Sequence, residues 1–361
     1  MFLAWRDLRF GRARFALVGV VIALVALLTT LLSGLAAGLV DDGISGLRSL
    51  PLTHLAMQPG GDASFSRSTL TETNLEPWTR VPGVEVAPLG VSFFNARTTA
   101  GKTLDLAVFG TPAGSFLAPR SDAQHALKGR PGLVLSDGFR ADGIKIGDEL
   151  TIVGPDVTLP VLGFTYGGSY GHVDIAFTSL AEWQHLLYGN DAQGRFSAIA
   201  VKAPDDRSFA AVDEAAGTET LTKIAAYAGS PGFTAESATM SLIRGFLLVI
   251  SALIVGAFFT VWTVQRTRQI GLMKALGASS AYVLRDALGQ LTVVLVVATA
   301  IGAAAASALG LLTGDGVPFS LHAGSIIASA VTLVIIGMAG SLVAVRKVTR
   351  IDPIIALGAE P

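Results

Sequence analysis

Four long uncharged runs interrupt an otherwise ordinary mixture of polar and apolar positions. Residues 15–40, 245–265 and 287–314 carry no charged side chain, and residues 316–345 carry none apart from His322. A hydrocarbon core about 30 Å thick is crossed by roughly 20 apolar residues in a helix. Each run therefore predicts a membrane span. The expected fold class is a polytopic α-helical membrane protein with four transmembrane helices, at 15–40, 236–265, 281–313 and 319–346. The first run is about twice the apolar length of a cleaved signal segment, which makes it a retained helix. It contains Gly34-Leu35-Ala36-Ala37-Gly38, a small-xxx-small pattern that lets a partner helix approach closely.

Basic residues orient the spans, because Lys and Arg near span ends stay on the cytoplasmic side. Arg6, Arg9, Arg12 and Arg14 precede the first run. Arg266, Arg268, Lys274 and Arg285 lie between the second and third, and Arg346, Lys347 and Arg350 follow the fourth. The short connection after the third run holds Asp315 and neither Lys nor Arg. Both termini are thus expected inside a plasma membrane, with residues 41–235 outside. Residues 1–14, with Trp5 and Phe10 set among arginines, suit an amphipathic helix lying in the inner interface. Residues 347–361 form a cytoplasmic tail.

The outside segment is long enough to be a domain. Alternation at 84–86, 103–109 and 198–202, separated by turn signals such as Pro82-Gly83, Ala100-Gly101 and Gly154-Pro155, predicts short strands. Helices are expected at 179–188 and 208–216. A mixed α+β extracytoplasmic domain follows. Its histidines are scattered without metal-ligand spacing, and no Gly-x-Ser-x-Gly elbow occurs. Residues 96–103 end in Gly101-Lys102-Thr103, like a phosphate loop, but Ala96 stands where that loop needs its first glycine. The segment reads as a β-turn. With no nucleophile–base constellation and no nucleotide site, an enzyme is the least favoured class, and any pumping must draw on a second polypeptide or an ion gradient.

Composition agrees with this division. Only 15% of the 361 residues are charged, against about a quarter in soluble domains. The net charge of −1 offers no basic footprint for nucleic acid. The absence of cysteine removes disulfides, thiolate nucleophiles and cysteine-bound metals.

The segment 266–280, between the second and third runs, places Ile270, Met273 and Leu276 at helical spacing, with Arg266, Arg268 and Lys274 on other faces. Gly277 is a natural helix stop, and Ser279 or Ser280 can cap the helix that follows. A short amphipathic helix is therefore expected along the inner surface, its apolar ridge facing a partner, lipid or its own spans. Residues 268–279 resemble the R-x-I-G-x-x-x-A-x-G-A-S loop of FtsX/MacB-type (type VII) ABC permeases. Arg350-Ile351-Asp352-Pro353-Ile354-Ile355-Ala356-Leu357 is similar to that family's C-terminal R-x-D-P-x-x-A-L signature. Leu133-Val134-Leu135-Ser136 followed by residues 143–148 resembles its outer strand-turn region.

The resemblance extends to the layout of one span, a large outer domain and three spans. It implies a permease homodimer or heterodimer bound to two copies of an ABC ATP-binding subunit, which would hold ATP and Mg. It further implies that Arg268, Ile270, Gly271, Lys274, Ala275, Gly277, Ala278 and Ser279 form the ATPase contact. Gln269 stands where many members have Glu, so a charged contact there is missing.

The run 32–39 with Leu47 and Leu50-Pro51 looks like the heme-efflux subgroup, which takes heme from the membrane. This implies heme as cargo rather than as a cofactor of the chain. Glu236 and Met240, one helical turn apart at the start of the second span, are then the candidate iron ligands. His54, Met57, Tyr166, Tyr170 and His172 are weaker ones. Glu236 equally suits a first-turn acid complementing the helix dipole, and Met240 a packing residue. Two other readings stand beside efflux of heme or another amphipathic molecule. One is an FtsX-like transducer regulating a cell-wall hydrolase; the other is a lipoprotein or antibiotic export permease.

Overall fold

The computed structural model describes residues 12–119, 127–128, 130–204, 207–265, 272, 276–312, 319–320 and 323–349. Two compact units emerge: residues 39–237, and the helical segments on either side of them.

Among its described residues the inserted unit has ten strands: β1 (His54–Met57), β2 (Glu85–Thr98), β3 (Thr103–Thr111), β4 (Leu133–Ser136), β5 (Glu149–Ile152), β6 (Val157–Thr165), β7 (Ser169–Tyr170), β8 (Val173–Ser179), β9 (Ala198–Lys202) and β10 (Glu219–Thr222). Their order is β10-β1-β9-β2-β3-β8-β4-β6-β5, with β7 beside β8. β2 is long enough to serve two neighbours along one edge. Its first half pairs with β9, and Ala96–Thr98 pair with β5. The sheet from β2 to β5 therefore closes on itself, which removes two exposed edges. The pairs β3–β8 and β4–β6 are parallel; the others are antiparallel.

Both faces of the central strands are buried, and the two-residue period sorts side chains between two cores. Leu104, Leu106 and Val108 of β3 enter one cluster with Leu133, Leu135, Ile199 and Val201. Ala107 and Phe109 enter the other with Val134, Ala198 and Ala200. The residues 96–103 form the β2–β3 hairpin: the Gly101 amide donates to the Thr98 carbonyl, and a strand, not a helix, follows. Lys102 pairs with Asp142 at 2.8 Å.

Among the described residues, five α-helices join this unit. The first, α1 (Arg12–Ser49), enters it by its last turns, where Leu47 and Leu50 are buried in the second core. Its end is held by Lys223, whose Nζ donates to the carbonyls of Arg48 and Leu50, both at 2.6 Å. The others are α2 (Glu72–Thr79), α3 (Leu180–Tyr188), α4 (Ala210–Ala216) and α5 (Lys223–Ala226). Ser179 caps α3 by accepting from the Glu182 amide, and α3 drops Trp183 into a notch left by Gly90 and Gly110, where a Cβ would overlap the indole.

The helical unit contains most of α1, together with α6 (Phe233–Gln265), α7 (Ser280–Gly310) and α8 (Ala323–Thr349). Among the described residues, three helices are long and apolar enough to cross a membrane, over Val18–Ser49, Phe233–Phe258 and Leu288–Gly310. In α8 the apolar stretch Ile326–Gly340 is shorter. Small residues set the packing, as expected where lipid supplies no hydrophobic drive. A Cβ on Gly302 of α7 would collide with the Ala23 carbonyl of α1, and one on Gly340 of α8 would sit 2.9 Å from the Ala252 carbonyl of α6. Gly34, expected to receive a partner helix, is instead covered by the chain's own Phe319, whose ring also fills the notch at Gly310. The Ser320 amide donates to the Gly34 carbonyl at 3.1 Å, which fixes that wedge.

Candidate functional site

The expected candidate ligands separate into two groups. His54 is 4% exposed, with Nδ1 at 2.9 Å from the Thr53 hydroxyl and its ring edge-on to Phe209. Met57 is 2% exposed in the second core. Tyr166 and Tyr170 are packed among aromatic rings, their hydroxyls buried and their pKa values pushed up by burial. These four belong to the domain core and present nothing to a ligand.

His172 and Glu236 are brought together. β6 leads through Gly167-Gly168 into the β7–β8 hairpin, in which Gly171 and His172 are the two turn residues, at φ +59° and +63°. Consecutive positive φ values are the mark of a type I′ turn, whose twist matches the flanking strands. For a histidine the left-handed region carries a strain cost that a non-glycine residue bears only where its surroundings hold it. They do. The Gly171 amide donates to the Gly43 carbonyl of α1 at 2.9 Å. His172 Nδ1 lies 2.9 Å from Asp42 Oδ2, and its Nε2 lies 3.1 Å from both Glu236 oxygens.

Asp42 Oδ1 accepts from the Ser169 hydroxyl at 3.0 Å, and the Ser169 amide donates to Ser45 Oγ at 2.9 Å. One imidazole thus bridges a carboxylate from the end of α1 and a carboxylate from the first turn of α6. Both ring nitrogens face acceptors, so the doubly protonated cation fits best. Partial burial of the ring lowers its pKa. The Asp42 hydrogen bond and the charges of Glu236 and Asp42 outweigh that and leave it raised.

Asp42 was not among the residues expected at this site. The only hint was an acid pair, Asp41-Asp42, directly after an apolar run. Met240 follows Glu236 by four residues within α6 and is half-buried.

Of the expected ATPase-contact segment, Arg268, Ile270, Gly271, Lys274 and Ala275 lie outside the described residues, as does the C-terminal motif 350–357. The described part behaves as a helix end. The Leu276 amide donates to the Leu272 carbonyl at 3.0 Å, Gly277 takes φ +95°, and Ser279 Oγ accepts from the Tyr282 amide to cap α7. Leu272 and Leu276 are 57% and 80% exposed, an apolar pair left bare.

Residues 241–353 match the FtsX-like permease C-terminal family model. The chain is 25% identical over 364 residues to a Staphylococcus haemolyticus protein named for a hemin transport system permease, HrtB, covering 99% of each chain. It is 24% identical over 366 residues to an uncharacterized ABC transporter permease of Mycobacterium tuberculosis, again with 99% of each covered. A solved structure, the periplasmic region of MacB from Actinobacillus actinomycetemcomitans, aligns at 13% identity and TM-score 0.35, over 51% of this chain and 94% of that one; so loose a likeness bears no argument. The resemblance to FtsX/MacB-type ABC permeases, with proteins named HrtB among the full-length relatives, therefore stands, and these relatives together with the long apolar helices indicate a membrane protein.

Proposed function

We propose that this chain is the permease subunit of an ABC efflux transporter that expels heme or another amphipathic molecule from the membrane. The observation that carries the reading is the end-to-end similarity to proteins named for hemin transport. ATP and Mg would be bound by two copies of a separate ATP-binding subunit, working on a permease homodimer. The chain would cross the membrane four times with both termini cytoplasmic, as its basic clusters require. In α8 the apolar stretch is extended by flanking residues of the 27-residue helix.

Force would enter through Arg268, Ile270, Gly271, Lys274, Ala275, Gly277, Ala278 and Ser279. The exposed Leu272 and Leu276 supply the apolar surface such a contact needs. The helices would pass this motion to the inserted domain instead of carrying cargo through a central cavity, a mechanotransmission scheme. Ile270→Asp or Gly277→Asp should leave membrane insertion intact while ATP hydrolysis by the partner no longer supports export; unchanged export would remove the coupling role.

Glu236 and Met240 are the proposed heme contacts. In this arrangement Glu236 has both oxygens on His172, so reaching iron means leaving that histidine. The protein purified from heme-fed cells should show a visible heme band, and Glu236→Ala with Met240→Ala should abolish it. A spectrum unaltered by both changes retires the pair, and a wild-type protein without any band retires heme as cargo.

A further inference from the structure

The sequence from 238 to 265 contains one charged residue, Arg244. It stands eleven residues after Phe233 in α6, about 16 Å along the axis at 1.5 Å per residue, within the apolar stretch Phe233–Phe258. A charge at membrane depth is costly and persists where it has a task. One contact accounts for part of it: Nη2 donates to the Ser33 carbonyl of α1 at 3.2 Å. Ser33 also receives the Ser329 hydroxyl of α8 at 3.2 Å, so α1, α6 and α8 meet there.

A second donor of the guanidinium is left without a partner. Its Nε is shielded from solvent and has no hydrogen-bond partner, and among the described residues no carboxylate pairs with it. A neutral amide would brace one carbonyl equally well. A guanidinium offers five donors in a planar fork shaped for a carboxylate or phosphate. On the same side one turn on, Leu247 and Leu248 are half-buried, so an apolar body can lie against α6 while its anionic edge reaches the fork. Met240, one turn earlier, puts a thioether on the same helix face.

We propose that Arg244 is the anion-receiving group of a ligand site at membrane depth, taking the carboxylate of an amphipathic molecule. For heme this would be a propionate; the assignment deepens the efflux reading and rests on it only for the identity of the cargo.

The test uses the full chain in phosphatidylcholine nanodiscs and two acid/ester pairs, hemin with its dimethyl ester and parinaric acid with its methyl ester. Wild type should prefer each acid by about tenfold or more, the scale of a charge-assisted hydrogen bond in a dry site. Arg244→Gln, which keeps a donor for the Ser33 carbonyl, should bring the ratio to about one, and Arg244→Lys should restore part of it. An acid preference that survives in Arg244→Gln overturns the proposal, and so does a wild type that binds neither pair.

If only the parinaric pair shows the Arg-dependent preference, Arg244 stands and heme falls. If neither pair shows a preference while hemin still binds wild type, heme stands and Arg244 falls. Loss of the preference on adding phosphatidylglycerol assigns Arg244 to lipid phosphate and overturns the proposal. Loss of the dimer in Arg244→Gln assigns it to a carboxylate of a second copy and overturns the proposal as well.

Discussion

The inserted domain and the helical unit spend the same residue types in opposite ways. In the inserted domain, glycines turn the chain and side-chain polar groups reach across it: Asp213 accepts from Thr218 and Thr220, and Asp42 and Glu236 converge on His172. In the helical unit, Gly302 and Gly340 let backbones touch. There Thr29, Ser251, Thr260, Thr292 and Ser307 return their hydroxyls to carbonyls four residues back in their own helices. The difference follows from the surroundings. Where water competes, a polar group gains by finding a fixed partner; where lipid surrounds the helix, it must be satisfied locally or not be there. Arg244 breaks the second rule, which is why it stands out.

The contrast can be broken first at its strongest point. Trp183 is fully buried against Gly90 and Gly110, so Trp183→Ala should destabilise the inserted domain by about 3–5 kcal/mol, the cost of emptying an aromatic site. Denaturant titration followed by near-ultraviolet dichroism would read it, and a loss under about 1 kcal/mol would mean the notch collapses freely. Next comes Gly302→Val. Its side chain must enter the Ala23 carbonyl, and overpacking of this kind costs about 1–3 kcal/mol. The change should lower the melting of the helical unit in detergent while proteolytic resistance of the inserted domain stays as it was. An equal loss in both would show that the two units do not melt separately.

Some of this is plain in the sequence, and the rest is concealed for physical reasons. Apolar runs mark α1, α6 and α7 because the span length is set by the bilayer. Gly277 and Ser279 mark a stop and a start because their side chains, or lack of them, solve local problems. The strand 198–202 looks alternating on paper as Ala-Ile-Ala-Val-Lys, yet both faces are buried; alanine fills the shallow side. Closure of the sheet through β2 and β5 joins residues more than fifty positions apart, a pairing no local pattern encodes. At the site, Glu236 stood out as a first-turn acid, whereas the positive φ that aims His172 at it depends on contacts with α1. Arg244 lies one residue before the uncharged run that begins at 245, yet well inside the helix, which begins at Phe233. The Gly34-x-x-x-Gly38 pattern did signal close packing, but its occupant is a phenylalanine ring from the same chain.

The smallest effect tests whether the polar bridge of the inserted domain is electrostatic. His172 has a raised pKa in the folded protein, so the folded state holds that proton more tightly than the unfolded chain. Its contribution to stability is then complete below the ordinary histidine value of about 6.5 and fades as pH rises through the raised value. The ring is partly exposed, so the scale is that of a surface ion pair, a loss of about 1–2 °C in melting between mildly acidic and alkaline buffer. His172→Gln should flatten that slope.

Asp174, facing Ser136 across a 3.0 Å hydrogen bond, has its carboxyl pushed up by burial, against that hydrogen bond, and by the charges of Asp42 and Asp142. It also loses stability as pH rises, but in the carboxylate range, and Asp174→Asn separates the two. A slope above about pH 6 that persists in His172→Gln would mean the imidazole serves by shape alone, and the inserted domain would then resemble the helical unit in relying on packing more than on charge.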